Sequence, residues 1–246
     1  MSATSMTPNL ICAVVTFHRE RELVVPTLHA IERMRRFAEA TGLDVQLVMT
    51  LDGGDQQTEM AIMSHPALRP VDVLHRVELF DLSLCRNHAV ARANGEFIAI
   101  LDGDDLFSEN WLAVAVETIR QHGPSTIVHP HLMIAFGTWQ AYWEQIDQTD
   151  PRFLPETLIS FNHWNACAVA RRDVFVRCPY VYARVGETGF GFEDWHWNCE
   201  TIASGFVHRL GPRTFRLERR KAEGSLNVAH QHHAAILRPS VFFDSL

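Results

Sequence analysis

Apolar positions in the first part of the chain recur in two alternating patterns. Leu10 to Phe17, LICAVVTF, is an unbroken apolar run rich in β-branched residues, which predicts a strand buried on both faces. Leu28, Ile31, Met34, Phe37 and Ala38 then share one helical face, with Pro26 in the first turn and Gly42 as the stop. Val45 to Leu51 predicts a second strand, ended by DGGD, and Gln56 to Ser64 a short helix. Val71 to Leu79 predicts a third strand, Ser83 to Asn94 a helix stopped by Gly95, and Glu96 to Leu101 a fourth strand. Farther on the pattern loosens. Ser108 to Gln121 and Phe192 to Ser204 read as helices, Thr126 to Phe136 and Ala166 to Arg171 as strands.

Strands alternating with helices at this spacing imply βαβ units, hence an α/β fold with a mainly parallel central sheet covered by helices on both faces. Ligands of such sheets gather at the carboxyl ends of the strands. That rule sets Thr16 to Glu20, Asp52 to Asp55 and Asp102 to Asp105 on one rim. With no repeat and no break in composition, the 246 residues are expected to form a single domain whose irregular second half elaborates the first.

Charge and cysteine content narrow the function classes. A net charge of −7, from 29 acidic and 22 basic side chains, argues against a surface built to hold nucleic acid or anionic lipid. Five widely spaced cysteines without a C-x-x-C pair suggest neither a disulfide framework nor a zinc knuckle, so a reducing cytoplasm is expected. The start, MSATSMTPNL, lacks a basic n-region and an apolar h-region, and no run approaches the roughly 20 apolar residues of a membrane span. Any membrane contact is expected to be peripheral.

The chemistry concentrates in ILDGDDLF, where Asp102, Asp104 and Asp105 crowd the end of a buried strand. Carboxylates so close repel one another unless hydrogen bonds, basic partners or a hard cation such as Mg2+ or Mn2+ hold them charged. The plainer alternative is a polar turn in which Asp105 or Ser108 caps the next helix. Asp52-Gly53-Gly54 likewise reads either as a ligand-facing carboxylate or as a turn.

Four segments in order resemble the family 2 glycosyltransferases of GT-A (Rossmann-like) fold, an inverting group that uses nucleotide-diphosphate sugars. They are VVTFHRE (Val14 to Glu20), VMTLDGGD (Val48 to Asp55), LSLCRNHAVARANGEFIAILDGDD (Leu82 to Asp105) and GFGFEDWHWNCETIASG (Gly189 to Gly205). The resemblance implies a nucleotide-sugar-binding half over residues 10–125 and an acceptor-binding, base-carrying half over 126–246. Thr16, His18, Arg86 and Asn87 would lie at the nucleotide, Asp52 would take a hydrogen bond from the base, and Asp102 would sit by the ribose and the metal. Asp104 would hold Mn2+ or Mg2+, with His230 favoured among the late histidines as a further ligand. Asp194 would be the catalytic base, with Glu193 orienting the base or the acceptor, and Asp105 would either support the metal ligands from behind or, the preferred reading, cap a helix.

Each assignment has a structural counterpart: solvation or capping for Arg86 and Asn87, and surface exposure for His230, His232 and His233. Glu193 and Asp194 would serve the helix N-terminus, where the macrodipole lowers carboxylate pKa values. Arg219, Arg220 and Lys221 are candidates to neutralise the pyrophosphate. Trp195 and Trp197 are read either as one sugar-facing wall and one core residue or as core residues both. Trp139, Tyr142, Trp143 and Trp164 are either a sugar site or core.

The expected donor is a UDP-sugar and the expected acceptor a carbohydrate or glycolipid. The resemblance implies a setting in bacterial surface polysaccharide or glycolipid assembly, in the cytoplasm or at the inner face of the membrane, with the chain either a full enzyme or a module of a larger system. Two competing classes are a sugar-nucleotide pyrophosphorylase, disfavoured because TFHRERE offers no glycine-rich phosphate loop, and a non-catalytic nucleotide-sugar-binding module.

Overall fold

The structure is a computed structural model, and it describes residues 6–222 and 224–246. β1 (Thr7–Phe17) is followed by α1 (Val24–Ala40), β2 (Asp44–Asp52), α2 (Gln56–Met63), β3 (Val73–Val77), α3 (Leu82–Arg92) and β4 (Gly95–Asp102). These are the predicted βαβ units. The chain continues through β5 (Leu106–Phe107), α4 (Trp111–His122), β6 (Thr126–Gly137), β7 (Ala141–Glu144), β8 (Ala168–Arg171), α5 (Arg172–Arg177) and α6 (Val185–Thr188). It ends with β9 (Phe190–Gly191), α7 (Glu193–Ala203), β10 (Val207–Arg220), α8 (Leu226–His232) and β11 (Ile236–Leu237).

One nine-stranded sheet runs β3-β2-β1-β4-β8-β6-β10-β5, with β7 paired to β6. β3, β2, β1 and β4 are parallel; β8 reverses direction, and β6 and β10 are again parallel to each other. Both halves of the chain therefore share one sheet. β1 is buried on both faces as expected: Ile11, Ala13, Val15 and Phe17 pack under α1 and α4, while Cys12 and Val14 pack under α3, α5 and α7. A third cluster, around Phe153, Leu158, Trp164 and Phe242, props the far side of α7.

Two local expectations are corrected. Gly95 does not stop α3, which ends at Arg92 when Ala93 turns extended at ψ 138°. It opens β4 instead, because a Cβ there would lie 2.6 Å from the Leu10 carbonyl oxygen of the neighbouring strand. Nor does Asp105 or Ser108 cap α4: that helix starts at Trp111 after Asn110, with no side-chain cap bond. The pattern of apolar positions missed β10 altogether. Its VHRLGPRTFRLERR is dense in charge, and the polar side chains it buries, His208, Thr214 and Arg216, include two bonded to residues far along the chain, His208 to His129 and Arg216 to Asp102 and Asp105.

Candidate active site

The register of β1 pairs Thr16 with Thr50 of β2 on one side and with Asp102 of β4 on the other. Adjacent strands lie about 4.8 Å apart, so Thr16, Asp102 and Asp52, two residues past Thr50, end up on one rim. His18 is exposed there, its Nδ1 against the Asp52 carbonyl. Asp52 is 8 % exposed and its Oδ1 accepts the Leu79 N–H at 2.7 Å. Gly53 does make the turn that the sequence also allowed, at φ +54°, and the Phe80 ring fills the space its side chain would need. The turn at Gly53 and the buried Asp52 carboxylate thus occur side by side.

The crowded aspartates are held by cations from elsewhere in the chain. Asp102 Oδ1 accepts from Arg86 of α3 at 3.0 Å, and its Oδ2 from Arg216 of β10 at 2.6 Å. Arg216 Nε also binds Asp105 at 2.6 Å, and the Arg219 N–H reaches the other Asp105 oxygen at 2.8 Å. Asp105 is therefore a buried anchor for β10, which corrects its assignment as a helix cap. Asp104 is paired through Oδ2 with Lys221 at 2.6 Å, and Glu20 lies close enough to feel its charge. Burial of Asp102 opposes its ionisation, yet Arg216 and Arg86 together hold its carboxyl below the usual range.

Arg86 joins this rim to the start of α7. Its other terminal nitrogen binds Glu193 at 3.0 Å, and both side chains are buried. Asp194 follows, with Oδ1 accepting the Trp195 N–H at 2.8 Å and Oδ2 the Asn162 amide at 3.3 Å. The helix terminus, the structural counterpart of the base assignment, would by itself lower this pKa. Burial and the neighbouring Glu193 carboxylate outweigh it, and Asp194 is pushed up to about 7, against the pull of Arg86. Phe192, just before the helix, sits in the left-handed region at φ 58°, an uncommon conformation for an aromatic residue.

Two predicted site residues point elsewhere. The Asn87 amide is engaged at both ends by the Tyr180 backbone, at 2.7 and 3.0 Å, and so clamps Tyr180 beside Arg86. His230 is buried, unlike the exposed His232 and His233, but it packs on Phe192 and Gly191 near Glu193. The reason is β11, which pairs with β9 and draws α8 onto the start of α7. Asp102, Asp104 and His230 thus form no shared metal cage: among the described residues no three His, Cys, Asp or Glu side chains converge on a cation position. Among the described residues, neither buried ring nitrogen of His230 has a hydrogen-bond partner.

Of the tryptophans, Trp197 is core, stacked on Phe175 and Tyr180, and Trp164 is core at 1 % exposed. Trp195 is half-buried and donates to the Leu158 carbonyl, while Trp139 and Tyr142 are exposed. Sequence reasoning missed Arg216 and Asn162. Neither carries a local signal: one lies in a charged strand, the other in an irregular stretch.

The fold is that of GT-A glycosyltransferases. Similar solved structures include S. aureus TarS 1-349 in complex with UDP-GlcNAc, at 13 % identity and TM-score 0.67, covering 95 % of this chain and 63 % of that one. Another is the mannosyltransferase PcManGT from Pyrobaculum calidifontis in complex with GDP-Man and Mn2+, at 18 % identity and TM-score 0.57, covering 87 % of this chain and 58 % of that one. The chain thus spans about three fifths of the length of these proteins. No curated protein matches it. The model of glycosyl transferase family 2 matches residues 12–179, more than half of the sequence, and the chain belongs to that family. Glu193, Asp194, Arg216 and Lys221 all lie beyond the matched residues.

Proposed function

We propose that the chain is an inverting glycosyltransferase that moves a sugar from a nucleoside-diphosphate donor to an acceptor hydroxyl by single displacement. The observation that carries this reading is Arg86, which ties Asp102 at the end of β4 to Glu193 at the start of α7. Donor rim and base-bearing helix are thereby held at one place, as an in-line attack requires. Asp52, fixed by the Leu79 N–H, would accept the ring N–H of a uracil or related base. Asp194 would take the proton of the attacking hydroxyl. With a pKa near 7 it is a stronger base than an ordinary carboxylate once ionised, and the rate should fall as the pH drops below about 7.

A divalent cation, Mn2+ or Mg2+, fits at Asp104 better than at Asp102. Both Asp102 oxygens are taken by arginines, whereas among the described residues Asp104 is paired through Oδ2 alone, and the Lys221 ammonium there marks the place as one for a cation. Donor phosphate oxygens would complete its coordination. Bound there, the cation would supply charge stabilisation for the departing diphosphate. Arg219 and Lys221 are placed to add to it. The similarity to a UDP-GlcNAc complex and to a GDP-Man complex with Mn2+ supports this donor class, with UDP preferred in our reading. We take the acceptor to be a carbohydrate or glycolipid in bacterial surface polysaccharide assembly, reached from the cytoplasmic side of the membrane.

Thermal shift with UDP, GDP and dTDP in the presence of Mn2+ tests the donor site, because binding to the folded state alone raises its stability. One of the three should raise the melting temperature, and Asp104→Ala should abolish the rise. No response to any nucleotide would overturn the reading. Asp194→Asn should keep the thermal shift and lose transfer by roughly two to four orders of magnitude; an undiminished rate would remove Asp194 as the base.

A further inference from the structure

Asp194 is held at both oxygens, and one holder is a side chain that no motif includes. Asn162 lies between a 3-10 turn at Pro155–Ile159 and β8, and donates its Nδ2–H to Asp194 Oδ2. Its orientation is dictated from behind. Asn162 Oδ1 accepts from Asn198 Nδ2 at 3.0 Å and from the Trp164 N–H at 3.4 Å, while Asn198 Nδ2 also donates to the Trp164 carbonyl at 3.0 Å. A backbone N–H only donates and a carbonyl only accepts, so Trp164 decides which end of each amide is nitrogen. Turning Asn162 over would set nitrogen against two donors and oxygen against a carboxylate. Trp164 is itself immobilised, with its indole N–H on the Ile146 carbonyl at 2.7 Å.

We propose that Asn162 is the positioning residue of the catalytic base: its amide N–H fixes the Asp194 carboxylate, favours the ionised form, and leaves a lone pair of Oδ2 open to the acceptor hydroxyl. This rests on the assignment of Asp194 as base. The charged and titratable groups facing Asp194 are Glu193 on its own helix, Arg86 from α3, Asp102 from β4 and Tyr180 after α5. Among the described residues, only the Trp195 N–H and Asn162 donate hydrogen bonds to its carboxylate. Asn162 is thus the one side chain that can tune it by direct contact.

The test reads the carboxylate itself, without needing the acceptor. In protein labelled with 13C-aspartate, the Asp194 carboxyl resonance is identified by its absence in Asp194→Asn and titrated by NMR. In Asn162→Ala the loss of a donor should raise the midpoint by about half to one pH unit. Asn162→Asp, nearly isosteric, should give two coupled steps in place of one. Stabilisation by the nucleotide and Mn2+ should be unchanged in both, since Asn162 touches nothing on the donor rim. An unmoved midpoint in folded Asn162→Ala overturns the proposal. If that variant does not fold, a single unshifted step in Asn162→Asp overturns it equally. Neither result depends on turnover, so failure here is distinct from failure of the transferase assignment, which nucleotide binding and the Asp194→Asn rate decide.

Discussion

The carboxylates of the first βαβ units and those of the charged cluster are secured in opposite ways. Asp55 and Asp81 each accept the backbone N–H three residues ahead, at 2.8 and 2.9 Å, and so cap α2 and α3. Asp102, Asp105 and Glu193 are held by arginine side chains, from Arg86 107 residues before Glu193 and from Arg216 111 and 114 residues after Asp105 and Asp102. The first kind of bond forms with its own turn. The second exists only when the whole sheet has closed, and it ties donor rim, β10 and α7 into one unit.

If that difference is real, removing a long-range partner should cost most. Arg216→Met leaves buried Asp105 with only the Arg219 N–H and Asp102 with only Arg86, and should destabilise the fold by about 3–5 kcal/mol, read from urea unfolding. A loss below about 1 kcal/mol would show that the cluster does not depend on β10.

The second half offers another long-range pair. His129 and His208 are fully buried and bonded to each other at 2.8 Å, with His129 also on the Cys167 carbonyl and His208 on Thr201. Burial holds both pKa values below 6.5, that of His129 at about 3. Below pH 6.5 the unfolded chain takes up protons on these rings and the folded chain does not. Their contribution is whole above pH 6.5 and is lost as the pH falls from there toward 3. The urea midpoint should drop over that window, and substituting both histidines by glutamine should flatten the drop. An equally steep drop in the double variant would discount the pair.

The smallest effect belongs to a helix cap, which adds to its local bond one to Ala183, 102 residues away. Asp81→Ala frees the Leu84 and Ala183 N–H groups and should cost about 1–2 kcal/mol, leaving nucleotide binding in place. A cost larger than that of Arg216→Met would invert the comparison.

Legibility in the sequence follows the same division. β1, β2 and β4 were readable because residues buried on both faces leave long apolar runs, and the rim residues because carboxyl ends of parallel strands lie together. β10 was invisible, since its buried polar side chains are matched by partners far away and leave no apolar period. The elevated pKa of Asp194 was not legible for a related reason: position on a helix is local information, whereas burial and the charge of its surroundings are not.

From the order of its residues alone this chain declared a parallel α/β sheet, a triplet of aspartates at the end of its fourth strand and a Glu-Asp pair opening a late helix. Each of these depends on neighbours a few positions away. Only the closed tertiary structure decided that Arg216 neutralises Asp102 and Asp105, that His230 packs at Phe192 apart from Asp104, and that Asn162 faces Asp194. Those outcomes depend on which distant segments meet, and hydrogen bonds across a hundred residues leave no periodicity in the chain that makes them.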